Sequence, residues 1–92
     1  MIAWMLPSMK KAPKALDARA VFARNLRMAR RLRDLSQESL GLESGLSRAY
    51  VSSVEGGARN ISIDNMGLLA SALQVPLRDL VDPDKFTGLD FY

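Results

Sequence analysis

Residues 36–57 have the sequence SQESLGLESGLSRAYVSSVEGG, which predicts two short helices joined by a tight turn. Ser36 and Ser47 are suited to the positions just before the two helices, because a serine hydroxyl accepts a hydrogen bond from a backbone N–H of the first turn. Gly45 lies between the helices and supplies the conformational freedom that a sharp turn needs. The stretch therefore predicts a compact pair of helices.

The two helices of this pair are predicted to have different roles, because the first contributes to the core and the second has one apolar and one polar face. In the first helix, Leu40 and Leu42 are expected to point into the core. The apolar side chains that share one face of the second helix are Tyr50, Val51 and Val54. The opposite face combines one long hydrogen-bond donor with short side chains, namely Arg48, Ala49, Ser52 and Ser53. A helix with such a face can approach base edges closely, so the pattern favours entry into the major groove of DNA.

The composition excludes the commonest catalytic and metal sites. The chain has 92 residues, enough for one small domain, and it contains neither cysteine nor histidine. These residue types are the commonest zinc ligands and supply many catalytic bases and nucleophiles. The ten aspartate and glutamate residues are scattered and lack the spacing of a metal or glycosidase site. We therefore expect no enzyme activity, no metal site and no cofactor.

No part of the sequence approaches the roughly 20 consecutive apolar residues that a membrane-spanning helix needs. The opening residues MIAWML are apolar, but they lack a basic leader and end at Pro7, which makes them a poor signal peptide. We therefore expect a cytoplasmic protein that does not contact a membrane.

Charge is distributed unevenly along the chain, although the formal net charge is only +3. Residues 10–33 hold nine of the 13 basic residues and a single acid, Asp17, whereas residues 34–92 hold four basic and nine acidic residues. Such a division is typical of a protein whose basic part faces nucleic acid. A solvated helix face with a basic arm explains the same pattern, so the charge alone leaves both interpretations open.

A longer helix is predicted before the pair, from an N-cap at Asp17 to about Arg33. Its apolar residues lie along one stripe at helical spacing, and they are Val21, Phe22, Leu26, Ala29 and Leu32. Arginines fill much of the remaining surface. We interpret those at positions 24, 27 and 31 as solvated charges or as partners of other helices.

Two further helices are predicted after the pair. Ser62 is suited to cap the first of them, whose apolar positions are Met66, Leu69, Ala70 and Leu73. Gly67 lies inside this helix and is expected to cost about 1 kcal/mol relative to alanine. Pro76 fits the start of the last helix, residues 77–81, which ends before Pro83.

The sequence as a whole therefore predicts an all-α fold, a compact five-helix domain with an N-terminal arm and a short C-terminal tail. The domain is expected to cover residues 18–82. It follows a basic extension over residues 1–17 and precedes a tail over residues 83–92.

These motifs, in this order, resemble those of the phage repressor and Cro-type helix-turn-helix domain of XRE-type transcriptional regulators. The segments that carry the resemblance are LRxxR from Leu26, LSQExL from Leu35, SGLS from Ser44, YVSxVE from Tyr50 and LAxALxV from Leu69. It covers residues 22–81 and implies a repressor-like fold that binds double-stranded DNA. One departure is Gly41, where the family usually has alanine. Glycine fits there but is expected to weaken the helix.

The resemblance implies DNA contacts from the helix pair and from the loop that follows it. Phosphate contacts are implied for Ser36, Gln37, Arg59 and Asn60. Contacts with bases, or with the backbone beside them, are implied for Ser47, Arg48, Ala49 and Ser53. Ser52 is a further candidate because a hydroxyl can bond to several bases. Gln37 is also expected to brace the helix that enters the groove.

Two structural contacts are also expected, and the first of them is implied by the resemblance. Arg30 and Glu55 are expected to form a largely buried salt bridge that ties the first helix to the end of the third. The last helix is expected to form the surface through which two copies associate. Its interface residues are Leu77, Leu80 and Val81.

Because one module of this size contacts only a few base pairs, we expect a homodimer on an inverted-repeat operator with half-sites roughly 34 Å apart. The expected function is a sequence-specific transcriptional regulator that controls its own gene, such as a restriction–modification controller or a small phage-type repressor. The sequence leaves open an alternative, an antitoxin or protein-interaction module. Such a protein would bind a toxin or another partner through its apolar N-terminus and aromatic C-terminal tail.

Overall fold

The computed structural model describes residues 17–87, which form five helices without a strand. The helices are α1 (Ala18–Leu32), α2 (Gln37–Ser44), α3 (Arg48–Glu55), α4 (Ile63–Leu73) and α5 (Leu77–Val81). The predicted all-α, five-helix architecture is confirmed. Residues 1–16 of the extension predicted over residues 1–17, and residues 88–92 of the predicted tail, lie outside the described residues. None of the five helices has the length and apolar composition that a bilayer span requires.

The helix boundaries follow the capping residues that the sequence supplies. Asp17, Ser36, Ser47 and Ser62 each precede a helix, and each side chain accepts a hydrogen bond from the backbone N–H three residues later. Such a cap typically stabilises a helix by about 1 kcal/mol. Gly45 ends α2 in the left-handed conformation, at a φ of 79°, as the predicted turn requires. Local chemistry therefore fixes where four of the five helices begin.

The core lies between α1 and the other helices. Helix α1 packs against α3, α4 and α5, while α2 packs against α3 and α4. The largest apolar side chains that are fully buried are Leu26, Met28, Leu40, Leu69, Leu73, Leu80 and Val51. Because α3 contacts both α1 and α2, its orientation is determined by the core of the domain.

Two leucines that were expected in the core lie at the surface. Leu42 is 80% exposed, and Leu32, at the end of α1, is 45% exposed. The expectation for Leu42 was wrong because residues two positions apart on a helix do not face the same side. Burial of Leu40 therefore turns Leu42 towards solvent.

Gly41 allows α2 to approach the chain that leads into α3. A Cβ atom at this position would lie 2.8 Å from the backbone oxygen of Leu46 and 3.2 Å from the backbone nitrogen of Arg48. Gly41 was expected mainly to weaken α2. The structure shows instead that its missing side chain makes room for the turn.

The packed part of the chain continues beyond α5. Phe86, which was assigned to the tail, is buried in the core cluster. Asn25 of α1 is fully buried, and its Nδ2 donates to the backbone oxygens of Leu80 and Asp82 at 3.1 and 2.8 Å. Arg24 Nη2 donates to the backbone oxygen of Pro83 at 2.6 Å. The boundary expected at residue 82 is therefore too early, because α1 holds the following residues through side-chain contacts.

Candidate nucleic-acid interface

Helix α3 is buried on one side and open to solvent on the other. Val51 and Val54 are buried in the core and hold the helix in place. Three of the predicted contact residues on the opposite side are exposed, and they are Arg48, Ala49 and Ser52. Ser47, which caps the helix, is exposed as well. The structure therefore presents the first turns of α3 as a surface of short side chains around one arginine.

Arg48 is available to bind an external ligand. Its side chain is exposed, and within residues 17–87 it takes part in no hydrogen bond or salt bridge. An arginine in this state can donate two hydrogen bonds to O6 and N7 of a guanine in the major groove. Its position at the first residue of α3 is suited to such a contact, because the N-terminal residues of a recognition helix lie against base edges.

Ser36 and Gln37 lie where α2 begins, and the end of α3 lies close to them. Ser36 Oγ accepts from the backbone nitrogen of Ser39 at 2.9 Å and donates to Ser39 Oγ at 3.0 Å. Gln37 Nε2 donates to Glu55 Oε1 at 3.2 Å. Gln37 therefore links the two helices of the pair. The positive end of α2 is an environment that favours a phosphate group.

The structure brings Arg30 and Glu55 together in a buried, two-pronged salt bridge. Arg30 Nε lies 2.6 Å from Glu55 Oε2, and Arg30 Nη2 lies 2.9 Å from Glu55 Oε1. The two side chains are only 12% and 4% exposed. Arg30 Nη1 also donates to the backbone oxygen of Leu35 at 2.8 Å. The pair joins α1 to the end of α3.

Arg27, which was expected to be either a solvated charge or a partner of another helix, also contacts Glu55. Arg27 Nη1 donates to the Glu55 backbone oxygen at 3.0 Å. Arg27 lies one helical turn before Arg30, and this spacing was the available signal, since residues three apart share a helix face. Together with Gln37, these contacts connect Glu55 to both α1 and α2. The bonds from Arg30 and Gln37 satisfy the buried carboxylate, which offsets the free-energy cost of removing it from water.

The loop after α3 forms a second polar cluster with the end of that helix. Arg59 and Asn60 are exposed, and Arg59 Nε donates to Ser53 Oγ at 3.1 Å. The Arg59 guanidinium carbon lies 4.7 Å from the centre of the Tyr50 ring. Asn65 of α4, which the sequence analysis did not single out, donates to the Tyr50 hydroxyl at 3.0 Å. The structure therefore ties Arg59 to α3, whereas Asn60 makes no such contact among the described side chains.

The predicted dimer surface is only partly accessible. Leu80 is fully buried within the chain and cannot contact a second copy, so this expectation was wrong. Helical spacing correctly places an apolar face on α5, but α1 covers that face at Leu80. Leu77 is half-buried and Val81 is 49% exposed. Val81 borders a shallow apolar groove whose other lining residues are Ala18, Val21, Phe22 and Met66.

Both the sequence and the structure of the chain are similar to those of known proteins. The family model described as Helix-turn-helix (HTH_3) matches residues 26–80. The chain is 40% identical over 67 residues to the control protein C.BamHI of Bacillus amyloliquefaciens, covering 72% of this chain and 83% of that protein. The family match therefore includes all of α2, α3 and α4, most of α5 and residues 26–32 of α1.

Solved structures show the same fold. The restriction-modification controller protein C.AhdI of Aeromonas hydrophila superposes with a TM-score of 0.66 at 45% identity, over 67% of this chain and 90% of that one. The hypothetical transcription factor NHTF from Neisseria superposes with a TM-score of 0.72 at 40% identity, over 79% and 86% of the two chains. The chain therefore belongs to the helix-turn-helix family of XRE-type transcriptional regulators, which are non-enzymatic DNA-binding proteins.

Proposed function

We propose that this chain is a sequence-specific regulator that binds double-stranded DNA as a homodimer on an inverted-repeat operator and controls its own gene. The observation that carries the proposal is the exposed polar face at the start of α3, where Arg48 has no partner among the described residues. A buried salt bridge holds the opposite end of α3, so the orientation of the helix is fixed in the absence of DNA. A cytoplasmic location is part of the proposal, since the DNA lies there.

In the proposed complex, two sets of residues divide the contacts. At the start of α3, Arg48 binds a base, and the short side chains of Ala49 and Ser52 allow the helix to approach the base edges closely. Ser47 lies against the DNA backbone beside those bases. Ser36 and Gln37 at the start of α2, and Asn60 in the loop, contact phosphates. Phosphate contacts fix the register of the protein, and the α3 contacts supply the sequence preference.

The similarity to a protein named as a control protein, and to one named as a restriction-modification controller, supports autoregulation as the biological role. An autoregulator responds to its own concentration. A promoter fusion tests this point, since expression of the protein in trans is expected to change the activity of its own promoter. No change in promoter activity, with the protein present and folded, would contradict the proposed role.

Selection of binding sites from random duplex DNA tests the DNA-binding function directly. We expect an enriched inverted repeat and an affinity that falls steeply with salt, because phosphate contacts release counterions. Retention of affinity at high salt, with no enriched motif, would contradict the proposal.

The homodimer is tested by the oligomeric state of a surface variant. Val81 is half-exposed beside an apolar groove, and we expect Val81→Glu to shift the protein towards the monomer in sedimentation experiments. Leu42→Glu is the matched control, because Leu42 is an exposed leucine on α2. An unchanged monomer–dimer equilibrium for Val81→Glu would place the interface elsewhere.

The antitoxin alternative remains a prediction. The apolar N-terminus and the last five residues that motivated it lie outside the described residues. Neither the exposed α3 surface nor the family relationship requires a toxin partner.

A further inference from the structure

We propose that Ser53 is a positioning residue for Arg59, which contacts a backbone phosphate, and that Ser53 does not itself read a base. This inference rests on the proposed DNA-binding function and refines it. The resemblance implied that Ser53 contacts a base, but the structure gives its hydroxyl other partners. The proposal concerns the polar cluster formed by Tyr50, Ser53, Arg59 and Asn65.

The hydroxyl of Ser53 is already occupied within the chain. It donates its single proton to the Tyr50 backbone oxygen at 2.9 Å and accepts from Arg59 Nε at 3.1 Å. A serine hydroxyl has one donor and two acceptor positions, so only one acceptor position remains. Ser53 is also half-buried, whereas its neighbour Ser52 is exposed. A base contact from Ser53 would therefore require the loss of an existing hydrogen bond.

Arg59 is held on two sides but keeps its binding groups free. Its Nε is bonded to Ser53, and its guanidinium lies over the Tyr50 ring at 4.7 Å, within the range of a cation–π contact. Neither terminal nitrogen of its guanidinium donates a hydrogen bond to another described residue. The planar guanidinium matches the geometry of a phosphate group, and a fixed orientation reduces the entropy that binding costs.

Asn65 extends this support to α4. Its Nδ2 donates to the Tyr50 hydroxyl at 3.0 Å, and its backbone nitrogen is bonded to the cap of α4, Ser62. The ring under Arg59 is therefore fixed from a separate helix. The loop residue Arg59 is oriented by groups on α3 and α4, which explains how a loop can hold a contact residue in register with the recognition helix.

A double-mutant cycle tests the inference. Affinity is measured for the unaltered protein, Ser53→Ala, Arg59→Ala and the double variant, on the selected site and on a random duplex. We expect Arg59→Ala to weaken binding to both duplexes roughly tenfold. We also expect it to make the slope of log affinity against log salt shallower by about 0.9 per copy, or about 1.8 for the dimer, because each copy loses one phosphate contact.

Ser53→Ala is expected to weaken binding to both duplexes several-fold in the unaltered background and to have no effect when Arg59 is alanine. Ser53→Thr retains the hydroxyl and is expected to restore the affinity. Matched controls on other surfaces are Ser71→Ala and Arg78→Ala, both at exposed positions. Thermal unfolding of each variant separates loss of binding from loss of fold.

Three results would overturn the inference while leaving the proposed function intact. These are a Ser53→Ala effect that persists in the Arg59→Ala background, a changed preference in the selected motif, or no effect of either single variant. If the unaltered protein does not bind duplex DNA, the proposed function and this inference both fail. The selection experiment on the unaltered protein therefore distinguishes the two failures.

Discussion

The two ends of α3 differ sharply in how they are held. At its C-terminal end, the carboxylate of Glu55 is buried and bonded to side chains from α1 and α2. At its N-terminal end, Arg48 is exposed and has no side-chain partner among the described residues. One helix of eight residues therefore separates two tasks, since the buried end fixes its orientation and the open end is left for a ligand. Substitutions at the two ends should then affect different measurements.

The largest effect is expected from Arg30→Ala. This change leaves Glu55 as a buried carboxylate without its cationic partner, and breaking such a pair typically costs about 3–5 kcal/mol of unfolding free energy. Urea denaturation measures the loss. Arg31→Ala is the control on the same helix, because Arg31 has no side-chain hydrogen bond within the described part of the chain. Equal stability of the Arg30→Ala variant and the unaltered protein would show that the salt bridge does not hold α3.

Arg48→Ala is expected to have the reverse profile. The unfolding free energy should stay within about 0.5 kcal/mol, as is usual for an exposed side chain without partners. Discrimination between the selected site and one with a changed base pair should fall by about 1–3 kcal/mol. Competitive binding measurements test this, with Arg78→Ala as an exposed control on α5. A uniform loss of affinity on all duplexes would instead assign Arg48 to phosphate.

Gly41→Ala is expected to disturb the N-terminal end of α3 by displacing the turn that leads into it. The added Cβ would lie 2.8 Å from the Leu46 oxygen and 3.2 Å from the Arg48 nitrogen, so the turn must shift. Overpacking of this kind costs about 1–3 kcal/mol, while alanine recovers up to about 1 kcal/mol of helix propensity. We therefore expect a net loss of up to about 2 kcal/mol in denaturation, with weaker DNA binding. A more stable variant would show that the turn accommodates the methyl group readily.

Local features of the fold could be predicted from the sequence, whereas the choice of packing partner could not. The four capping residues and Gly45 contact only residues close to them in sequence, so their roles at the helix ends could be predicted from the neighbouring residues. Leu80 has the spacing of a covered residue, but spacing does not say whether this chain or a second copy covers it. Phe86 was missed for the same reason, because its burial depends on contacts distant in sequence.

The candidate site shows the same division. Exposure of Ala49 and Ser52 followed from the helical face opposite Val51 and Val54, which local spacing gives directly, and Arg48 lies at the edge of that face. The contact of Ser53 with Arg59 joins a helix to a loop six residues later, and no local pattern indicates it. Asn25 did leave a signal, since it lies three residues after Phe22 on the apolar stripe of α1. A polar residue within such a stripe indicates a buried hydrogen-bonding role.

The smallest expected effect, and the one that separates stability from binding most cleanly, is that of Gly67→Ala. Gly67 lies inside α4, and a Cβ atom there would meet nothing within 4 Å, so alanine adds helix propensity without a steric cost. We expect the unfolding free energy to rise by up to about 1 kcal/mol, measured by urea denaturation. Helix α4 packs mainly against α1, α2 and α5, and Gly67 takes no part in the hydrogen bond from Asn65 to Tyr50 of α3, so affinity for the selected site should not change. A change in affinity that accompanies the gain in stability would mean that the orientation of α3 responds to the stability of the whole domain, and the two ends of α3 would then not be independent.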